Sequence, residues 1–277
     1  MAPDKPRVVL MCHAGDRIDM VGLAAWLASS MTLAGIVLLR EPRRRKLKKI
    51  RREIRRVGWL RFLDVLAFRL YYRLRLAHAD AVCMRQQVAA LRAKYPADPD
   101  ATPTLVAADP NTEAVREFLR QIAPDLMIAR CKFLLKADVY NIPRHGTFVL
   151  HPGICPEYRN AHGCFWALAN RDLTRVGMTL LRVDDGIDTG AIFLQATYAF
   201  DEVHESPFVI QYRTVVENLD AIAGTLSAVC QGRAAPIPAT GRASAIWGQP
   251  WLSAYCRWKW AARRALRGWR DVLGQGR

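Results

Sequence analysis

Two motifs of this 277-residue chain combine residue types that can move a proton. The first, HPGICPEYRNAHG over residues 151–163, places a histidine directly after the apolar run FVL. The second, DDGIDTG over residues 184–190, holds three aspartates and two glycines, so a ligand can approach its backbone closely. A carboxylate beside an imidazole raises the imidazole pKa and stabilises its charged form. Together the two motifs could therefore supply an acid–base pair.

Each motif alone has a plainer structural explanation. A histidine that ends a strand is more often a structural hydrogen-bonding group, and a DxGxDTG sequence is more often an ordinary turn. The catalytic interpretation therefore depends on both motifs occurring together and on a fold that brings them into contact.

The hydrophobic pattern predicts the elements that must position these motifs. Short apolar runs alternate with helical segments along most of the chain, which is the pattern of an α/β domain. The predicted strands cover residues 7–13, 33–39, 104–109, 125–131, 146–151, 177–185 and 191–200. This order indicates a Rossmann-like, mostly parallel sheet, in which ligands bind beyond the carboxyl ends of the strands.

Two segments depart from the α/β pattern. Residues 41–98 predict a helical insertion, with a basic first helix, a break at Gly58, and further helices over 59–77 and 81–94. A long helix is predicted over 206–231, and the remainder is basic and rich in tryptophan. We therefore divide the chain into an α/β domain over residues 1–231 and an extension over residues 232–277.

Three features bear on the compartment in which the chain works. Residues 20–39 carry no charge and are long enough to span a bilayer, but Ser29, Ser30 and Thr32 interrupt them, which favours a core helix, a turn and a strand. The seven cysteines include no CxxC pair, which predicts reduced thiols. No metal-ligand spacing is visible. These features predict a cytoplasmic protein without a metal site.

The stretch HPGICPEYRNAHGCFWAL, followed by GMTLLRVDDGIDTGAIFLQ, resembles the formyltransferase family. That family uses N10-formyltetrahydrofolate and includes methionyl-tRNA, glycinamide ribonucleotide and sugar-amine formyltransferases. Its motif Asn-x-His-x-(Ser/Gly)-Leu-x-Pro-x-(Tyr/Trp)-Arg-Gly is followed by Asp-x-Gly-x-Asp-(Thr/Gly)-Gly. The resemblance is strongest over residues 125–200. It implies a formyltransferase fold and one-carbon metabolism, with transfer of a formyl group to an amine.

The resemblance also implies roles for individual residues. His151 and Asp188 match the catalytic histidine and aspartate of the family. The pocket for the formyl donor falls on Lys132, Phe133, Leu134, Leu135, Asp184, Asp185, Gly186 and Ile187. The substrate loop falls on Gly153, Tyr158, Arg159, Asn160 and His162. Asn160 stands where the family usually has glycine.

The sequence departs from the family at Val149, where the catalytic asparagine should stand. Valine has no hydrogen-bond donor for the oxyanion of the tetrahedral intermediate, and losing one such donor costs about 10²–10³ in rate. Asn160, His162 or a loop backbone N–H could replace it. Two alternatives stay open: a formyltetrahydrofolate hydrolase, or a catalytically degenerate member that binds folate or a membrane-associated partner.

The resemblance leaves the amine acceptor open. Methionyl-tRNA formyltransferases carry an additional C-terminal barrel domain. The residues that follow the long helix predicted over 206–231 are too few to form such a domain. An amino sugar or another small metabolite is therefore favoured over tRNA.

The charge of the chain predicts an anionic partner. The net charge is +16, and residues 40–56 hold eleven lysines and arginines against two glutamates. Aromatic residues in the second helix (Trp59, Phe62, Phe68, Tyr71 and Tyr72) and a tryptophan-rich tail favour an anionic membrane surface over nucleic acid. The expected contact covers residues 43–75 and 247–270, at the inner face of the membrane. The competing interpretation is an ordinary solvated helix face.

Overall fold

A computed structural model of the chain describes residues 5–40 and 44–274, with the side chains of 44–49 and 268–274 left out of the description. The strands are β1 Arg7–His13, β2 Thr32–Leu39, β3 Thr104–Ala107, β4 Leu126–Arg130, β5 Thr147–His151, β6 Arg159–Asn160, β7 Gly177–Arg182, β8 Ile192–Thr197 and β9 Ile246–Trp247. Within these ranges the main sheet has the order β3-β2-β1-β4-β5-β7-β8. Its first five strands are parallel, whereas β7 and β8 are antiparallel to their neighbours. The predicted α/β class with a mostly parallel sheet is confirmed.

The helices cover both faces of this sheet. They are α1 Ala24–Ser30, α2 Arg44–Tyr71, α3 Ala77–Lys94, α4 Glu113–Ile122, α5 Ala137–Tyr140, α6 Gly163–Ala169, α7 Pro207–Val216, α8 Leu219–Cys230 and α9 Leu252–Gly274. Side chains of β1 alternate between two cores, because successive residues of a strand point to opposite faces. Leu10 packs with residues of α1 and α8, and Met11 packs with residues of α4 and α5. The sheet is therefore buried on both faces, as a parallel sheet requires.

The uncharged stretch over residues 20–39 is part of the core, as predicted. A π-helical stretch (Ile18–Leu23) leads into α1, a bend at Met31 follows, and β2 completes it. Over residues 5–40 and 44–274, no helix is both long and apolar enough to cross a membrane.

The insertion between β2 and β3 is helical, and its break falls at the predicted glycine. Gly58 lies inside α2 with φ 77° and ψ 165°, a backbone conformation that favours glycine. Beyond it the helices predicted over 59–77 and 81–94 are not separate, because a π-helical stretch (Tyr72–Leu76) joins α2 to α3. Residue 43 of the predicted basic surface, and the side chains of 44–49, lie outside the described residues.

The expectation that the aromatic residues of α2 face outward is wrong for its two phenylalanines. Phe62 is 4% exposed and Phe68 is 2% exposed. Phe68 packs against Phe165 of α6, Phe208 of α7 and Tyr255 of α9. Large aromatic rings bury more apolar area than other side chains, so they occupy the side of the helix that meets the domain.

The helix predicted over residues 206–231 is two helices, α7 and α8. Asn218, between them, has φ −114° and ψ 14°, which is outside helical geometry. Its side-chain amide donates hydrogen bonds to the carbonyls of Thr214 and Thr197. An asparagine that bonds to nearby backbone in this way competes with the helical hydrogen-bond pattern, which explains the break.

The C-terminal extension packs against the α/β domain. Ile237 forms a bridge to Ile192 at the edge of the main sheet, and β9 pairs in parallel with β6. The long helix α9 then buries Trp258, which is 0% exposed, in the core shared with α2 and α6. The sequence did not predict this helix.

Candidate active site

The histidine of the first motif lies at the carboxyl end of β5. Side chains of β5 alternate, so Val149 and His151 lie on one face while Phe148 and Leu150 enter the core of the other face. His151 is 4% exposed. Its ring Nε2 lies 2.8 Å from the carbonyl oxygen of Tyr158, which fixes the orientation of the imidazole.

The aspartate of the second motif reaches the same histidine. Asp188 Oδ2 lies 3.5 Å from His151 Nδ1, and both side chains are largely buried. The loop that carries Asp188 begins beside the start of β5, where the Val183 N–H donates to the Thr147 carbonyl, and it extends to the end of that strand. Asp188 therefore arrives from the hairpin between the antiparallel strands β7 and β8, which flank the second motif as predicted.

Burial and neighbouring groups act on the His151 pKa in opposite directions. Burial alone would lower it, because a charged imidazole loses its hydration. The Asp188 carboxylate, the Cys155 thiol and the Tyr158 carbonyl outweigh that effect and raise the pKa to about 9. At neutral pH the imidazole therefore holds a proton on both ring nitrogens, with Nδ1 directed toward Asp188.

The substrate loop predicted over residues 153–162 is held by the C-terminal extension. The Asn160 N–H donates to Asp188 Oδ2 over 2.7 Å, and the Asn160 side-chain amide donates to the Trp247 carbonyl. The Arg159 N–H donates to the Ala245 carbonyl over 3.1 Å, beside the β6–β9 pairing. Asn160 has φ 76°, a left-handed conformation that asparagine tolerates better than most residues and that explains a glycine there in the family.

A second set of contacts ties this loop to the extension. The Arg242 guanidinium binds both carboxylate oxygens of Glu157, at 2.7 and 3.0 Å, and also donates to Gln195. The Trp247 indole N–H donates to the Glu157 carbonyl over 2.9 Å. Because a bidentate arginine–carboxylate pair fixes both partners in one plane, residues 242–247 determine the loop conformation.

Three predicted loop residues occupy distinct environments. Tyr158 is 4% exposed; its hydroxyl donates to Asp172 over 3.0 Å and its ring stacks on Trp247. The Arg159 guanidinium donates to the Ile187 carbonyl over 3.2 Å, which links the two motifs. His162 lines a cavity of about 110 Å³ together with residues of α2 and α7. The contacts with substrate that the resemblance implies for these side chains remain predictions.

Both side chains expected to replace the missing asparagine make contacts with other groups. The Asn160 amide already bonds to Trp247. The His162 ring packs edge-on against Phe208, and its buried Nδ1 has no hydrogen-bond partner among the described residues. Burial, with the nearby Lys132 charge, lowers the pKa of His162 to about 4, so this ring is neutral at pH 7.

The two segments predicted to hold the formyl donor lie at one end of the site. The Tyr140 hydroxyl, just after residues 132–135, donates to Asp185 Oδ1 over 2.8 Å and ties the segments together. Leu134 is 60% exposed and Ile187 is 44% exposed, so both segments present apolar groups to solvent. Among the described residues, no three His, Cys, Asp or Glu side chains are arranged to hold a metal ion.

Two further groups that were not predicted from the sequence support the site. Arg130, at the end of β4, bonds to Asp19 over 3.0 Å and also donates to the Leu150 carbonyl, next to His151. The sequence does contain one indication of the buried Arg130–Asp19 pair, because an arginine ends the otherwise apolar strand β4. Cys155, which is 1% exposed and interacts with His151, carried no such signal.

Replacing Gly153 with alanine is expected to disturb the site directly. A Cβ at residue 153 would lie 2.7 Å from the Tyr158 carbonyl and 2.8 Å from His151 Nε2, and Gly163 closes the space on the other side. Overpacking of this kind costs about 1–3 kcal/mol. Unfolding in urea, monitored by tryptophan fluorescence, measures this change in the free energy of unfolding.

The matched control for this substitution is Gly224→Ala. Gly224 lies in α8 with open space around it, so alanine there is expected to stabilise the chain by about 0.5–1 kcal/mol. Equal stability of the two variants would contradict the close packing of Gly153 against His151.

A family model described as formyl transferase matches residues 78–222, slightly more than half of the chain. Methionyl-tRNA formyltransferase of Bacteroides thetaiotaomicron is 35% identical over 116 residues, which cover 40% of this chain and 36% of the relative. The corresponding protein of Pelotomaculum thermopropionicum is 31% identical over 150 residues, covering 52% of this chain and 41% of the relative. This chain thus matches well under half the length of these relatives.

Solved structures with the same fold cover most of the chain. Phosphoribosylglycinamide formyltransferase from Anaplasma phagocytophilum superposes with a TM-score of 0.53 and 14% identity, covering 89% of this chain and all of that one. A sugar N-formyltransferase from Shewanella superposes with a TM-score of 0.52 and 13% identity, covering 87% of this chain and 76% of that one. At such identities the superpositions establish the shared fold.

Proposed function

Since the chain belongs to the formyl transferase family, we propose that it transfers a formyl group from N10-formyltetrahydrofolate to an amine. The observation that carries this proposal is the buried His151–Asp188 pair, 3.5 Å apart, beside the two segments matched to the donor pocket. In the reaction the amine nitrogen bonds to the formyl carbon, the bond from that carbon to N10 breaks, and the proton lost by the amine is returned to N10.

The residues of this chain supply charge and proton control for that exchange. Protonated His151 places a positive charge where negative charge develops on the formyl oxygen, while the Tyr158 carbonyl and the Asp188 carboxylate hold its two N–H groups. Asp188 keeps the imidazole charged and oriented, and it accepts hydrogen bonds from the amine as the amine becomes acidic. Asn160 N–H holds the Asp188 carboxylate in place over 2.7 Å.

The chemical character of the formyl donor suits residues 132–135 and 184–187, the two segments that the resemblance assigns to its pocket. A pterin ring has apolar faces and polar edges, and the segments offer exposed Leu134 and Ile187 together with backbone polar groups. Lys132 to Leu135 would contact one face, and Asp184 to Ile187 would close over the other. The acceptor we propose is an amine of a small metabolite or an amino sugar.

Purified protein mixed with N10-formyltetrahydrofolate and a panel of amino sugars and small amines tests the function. We expect tetrahydrofolate release that depends on an amine, with a product 28 Da heavier than that amine by mass spectrometry (about one CO, the net gain of formyl for hydrogen). Release at the same rate without any amine would instead establish the hydrolase. Binding of the donor without either product would establish the degenerate alternative.

A further inference from the structure

The outer side of α2 beyond Gly58 exposes a row of large apolar side chains. They are between 42% and 86% exposed, and from Leu60 onward they recur every three or four residues, so they share one side of the helix; the last, Leu74, lies in the π-helical stretch that continues α2. We call this row the leucine face; it consists of Trp59, Leu60, Leu63, Leu66, Leu70 and Leu74. The opposite side of the same helix buries Phe62, Val65 and Phe68. The helix is therefore apolar on two sides, and the chain covers only one of them.

Such a row is unusual for a surface that meets only water. Single exposed leucines are common on proteins, but a contiguous apolar patch marks a surface that another molecule covers.

The surroundings of the leucine face are cationic. Arg73 and Arg75 are exposed on either side of Leu74, and exposed arginines at 51, 52 and 55 precede Gly58. The two acidic residues of the helix are already engaged. Glu53 pairs with Arg56 over 2.6 Å, and Asp64 accepts a hydrogen bond from the Ser253 N–H over 3.0 Å.

A cationic groove lies between α9 and Tyr71, the residue of α2 that follows Leu70 of the leucine face. It encloses about 450 Å³ and is lined by Tyr255, Cys256, Lys259, Trp260, Arg263, Arg264 and Arg267. Trp260 is 63% exposed, and the Arg264 guanidinium lies 5.4 Å from its ring centre. Arginine forms strong charge-assisted bonds with phosphate, and tryptophan prefers the level of lipid headgroups.

From this juxtaposition we propose that the chain docks on an anionic lipid bilayer. The leucine face enters the region of the acyl chains, and the groove beside it receives lipid phosphates through Arg263, Arg264 and Arg267. An in-plane helix with an apolar side and cationic borders is the usual design for a bilayer surface. Docking is independent of the proposed formyl transfer, so the test measures binding and not turnover.

The same features disfavour two other occupants. Nucleic acid would engage the arginines, but it would leave the aliphatic leucines facing water, because bases stack on aromatic rings and not on leucine. A second copy of the chain would bring two cationic borders together, at a net charge of +16 for each copy.

Co-sedimentation of the full chain with vesicles tests the proposal. We expect binding to vesicles of phosphatidylcholine mixed with phosphatidylglycerol, weaker binding to phosphatidylcholine alone, and a loss of affinity as salt rises. Replacing Leu63, Leu70 and Leu74 together with glutamine is expected to weaken binding at least about 10-fold. Replacing Arg263 and Arg264 with glutamine is expected to weaken it roughly 25-fold at low salt.

Matched controls carry the same chemical changes elsewhere on the surface. Val106→Gln alters an apolar side chain that is 49% exposed on β3, and Arg233→Gln removes an exposed charge after α8. Both are expected to bind vesicles like the unaltered chain. Because the arginine variant leaves all six side chains of the leucine face in place, it tests docking even if the leucine variant unfolds.

Three results would overturn the proposal. The first is absence of binding to anionic vesicles by the unaltered chain. The second is equal binding by the unaltered chain and a folded leucine variant. The third is evidence that another molecule covers the leucine face. That evidence would be self-association of the chain without vesicles, lost in the leucine variant, or binding to RNA but not to vesicles.

Discussion

Replacing His151 with alanine is expected to lower the rate of formyl transfer by about 10²–10⁴, the usual contribution of a positioned proton-transfer group. The substitution removes the only charge of the His151–Asp188 pair that can stabilise a developing oxyanion, and it leaves the Asp188 carboxylate facing an empty space. Release of tetrahydrofolate under saturating donor and acceptor measures the effect. Unchanged turnover would show that the reaction takes place elsewhere on the chain.

The chain contains a matched control for this substitution. His204 Nδ1 lies 2.7 Å from Asp201 Oδ2, so it forms a second histidine–aspartate pair, but one that is exposed to solvent. His204→Ala is expected to leave the rate within about twofold, since exposed pairs of this kind contribute little. A comparable loss in both variants would mean that the assay reports general damage to the fold.

The pH profile separates the electrostatic role of His151 from a structural one. The pKa of His151 is raised to about 9, so the imidazolium is present below that pH and is lost as the pH rises through it. Activity is therefore expected to fall above about pH 9. The Asp188→Asn variant lacks the carboxylate charge that raises the His151 pKa. Its activity is therefore expected to fall at a lower pH than that of the unaltered chain, and its maximal activity is expected to be lower. A fall at the same pH in both proteins would contradict the coupling.

Replacing Val149 with asparagine is expected to raise the rate of formyl transfer by about 10²–10³, the value of one oxyanion donor. Val149 lies on the same face of β5 as His151, two residues earlier, so an amide there would point toward the same space. In the structure the Asn160 side-chain amide donates to the Trp247 carbonyl, and the His162 ring packs edge-on against Phe208. Single-turnover kinetics measure the chemical step directly.

Val149→Leu is the apolar control for this gain. It keeps the contacts that Val149 makes with Cys155, Leu181 and Ile192, but it adds no donor. If leucine and asparagine change the rate alike, the effect arises from packing. If asparagine alone creates activity where the natural chain has none, the natural chain is the degenerate member of its family.

Much of the fold could be predicted because its signals are local. The apolar runs of β1 and β2, the break at Gly58 and the turn before Gly190 each depend on neighbouring residues alone. The pairing of His151 with Asp188 was accessible only through the family resemblance, because no local pattern shows that the hairpin loop extends along β5.

Other features could not be predicted, for physical reasons. The second half of α2 is apolar on two sides, and periodicity cannot say which side meets the domain. In α9 the buried positions Ala254, Tyr255, Trp258 and Ala262 do have helical spacing, but exposed tryptophan and intervening arginines obscure it. The Arg242–Glu157 pair joins residues 85 positions apart, which no local pattern can encode.

The pairing of β6 with β9 has a consequence for how the protein matures. A chain leaves the ribosome from its N-terminus at about 5–20 residues per second, and early segments can fold before late ones appear. Here the strand that holds Asn160 has its partner at residues 246–247, and Trp247 follows Asn160 by 87 residues. The main sheet, whose last strand ends at Thr197, can therefore assemble while the loop beside His151 is still unpaired.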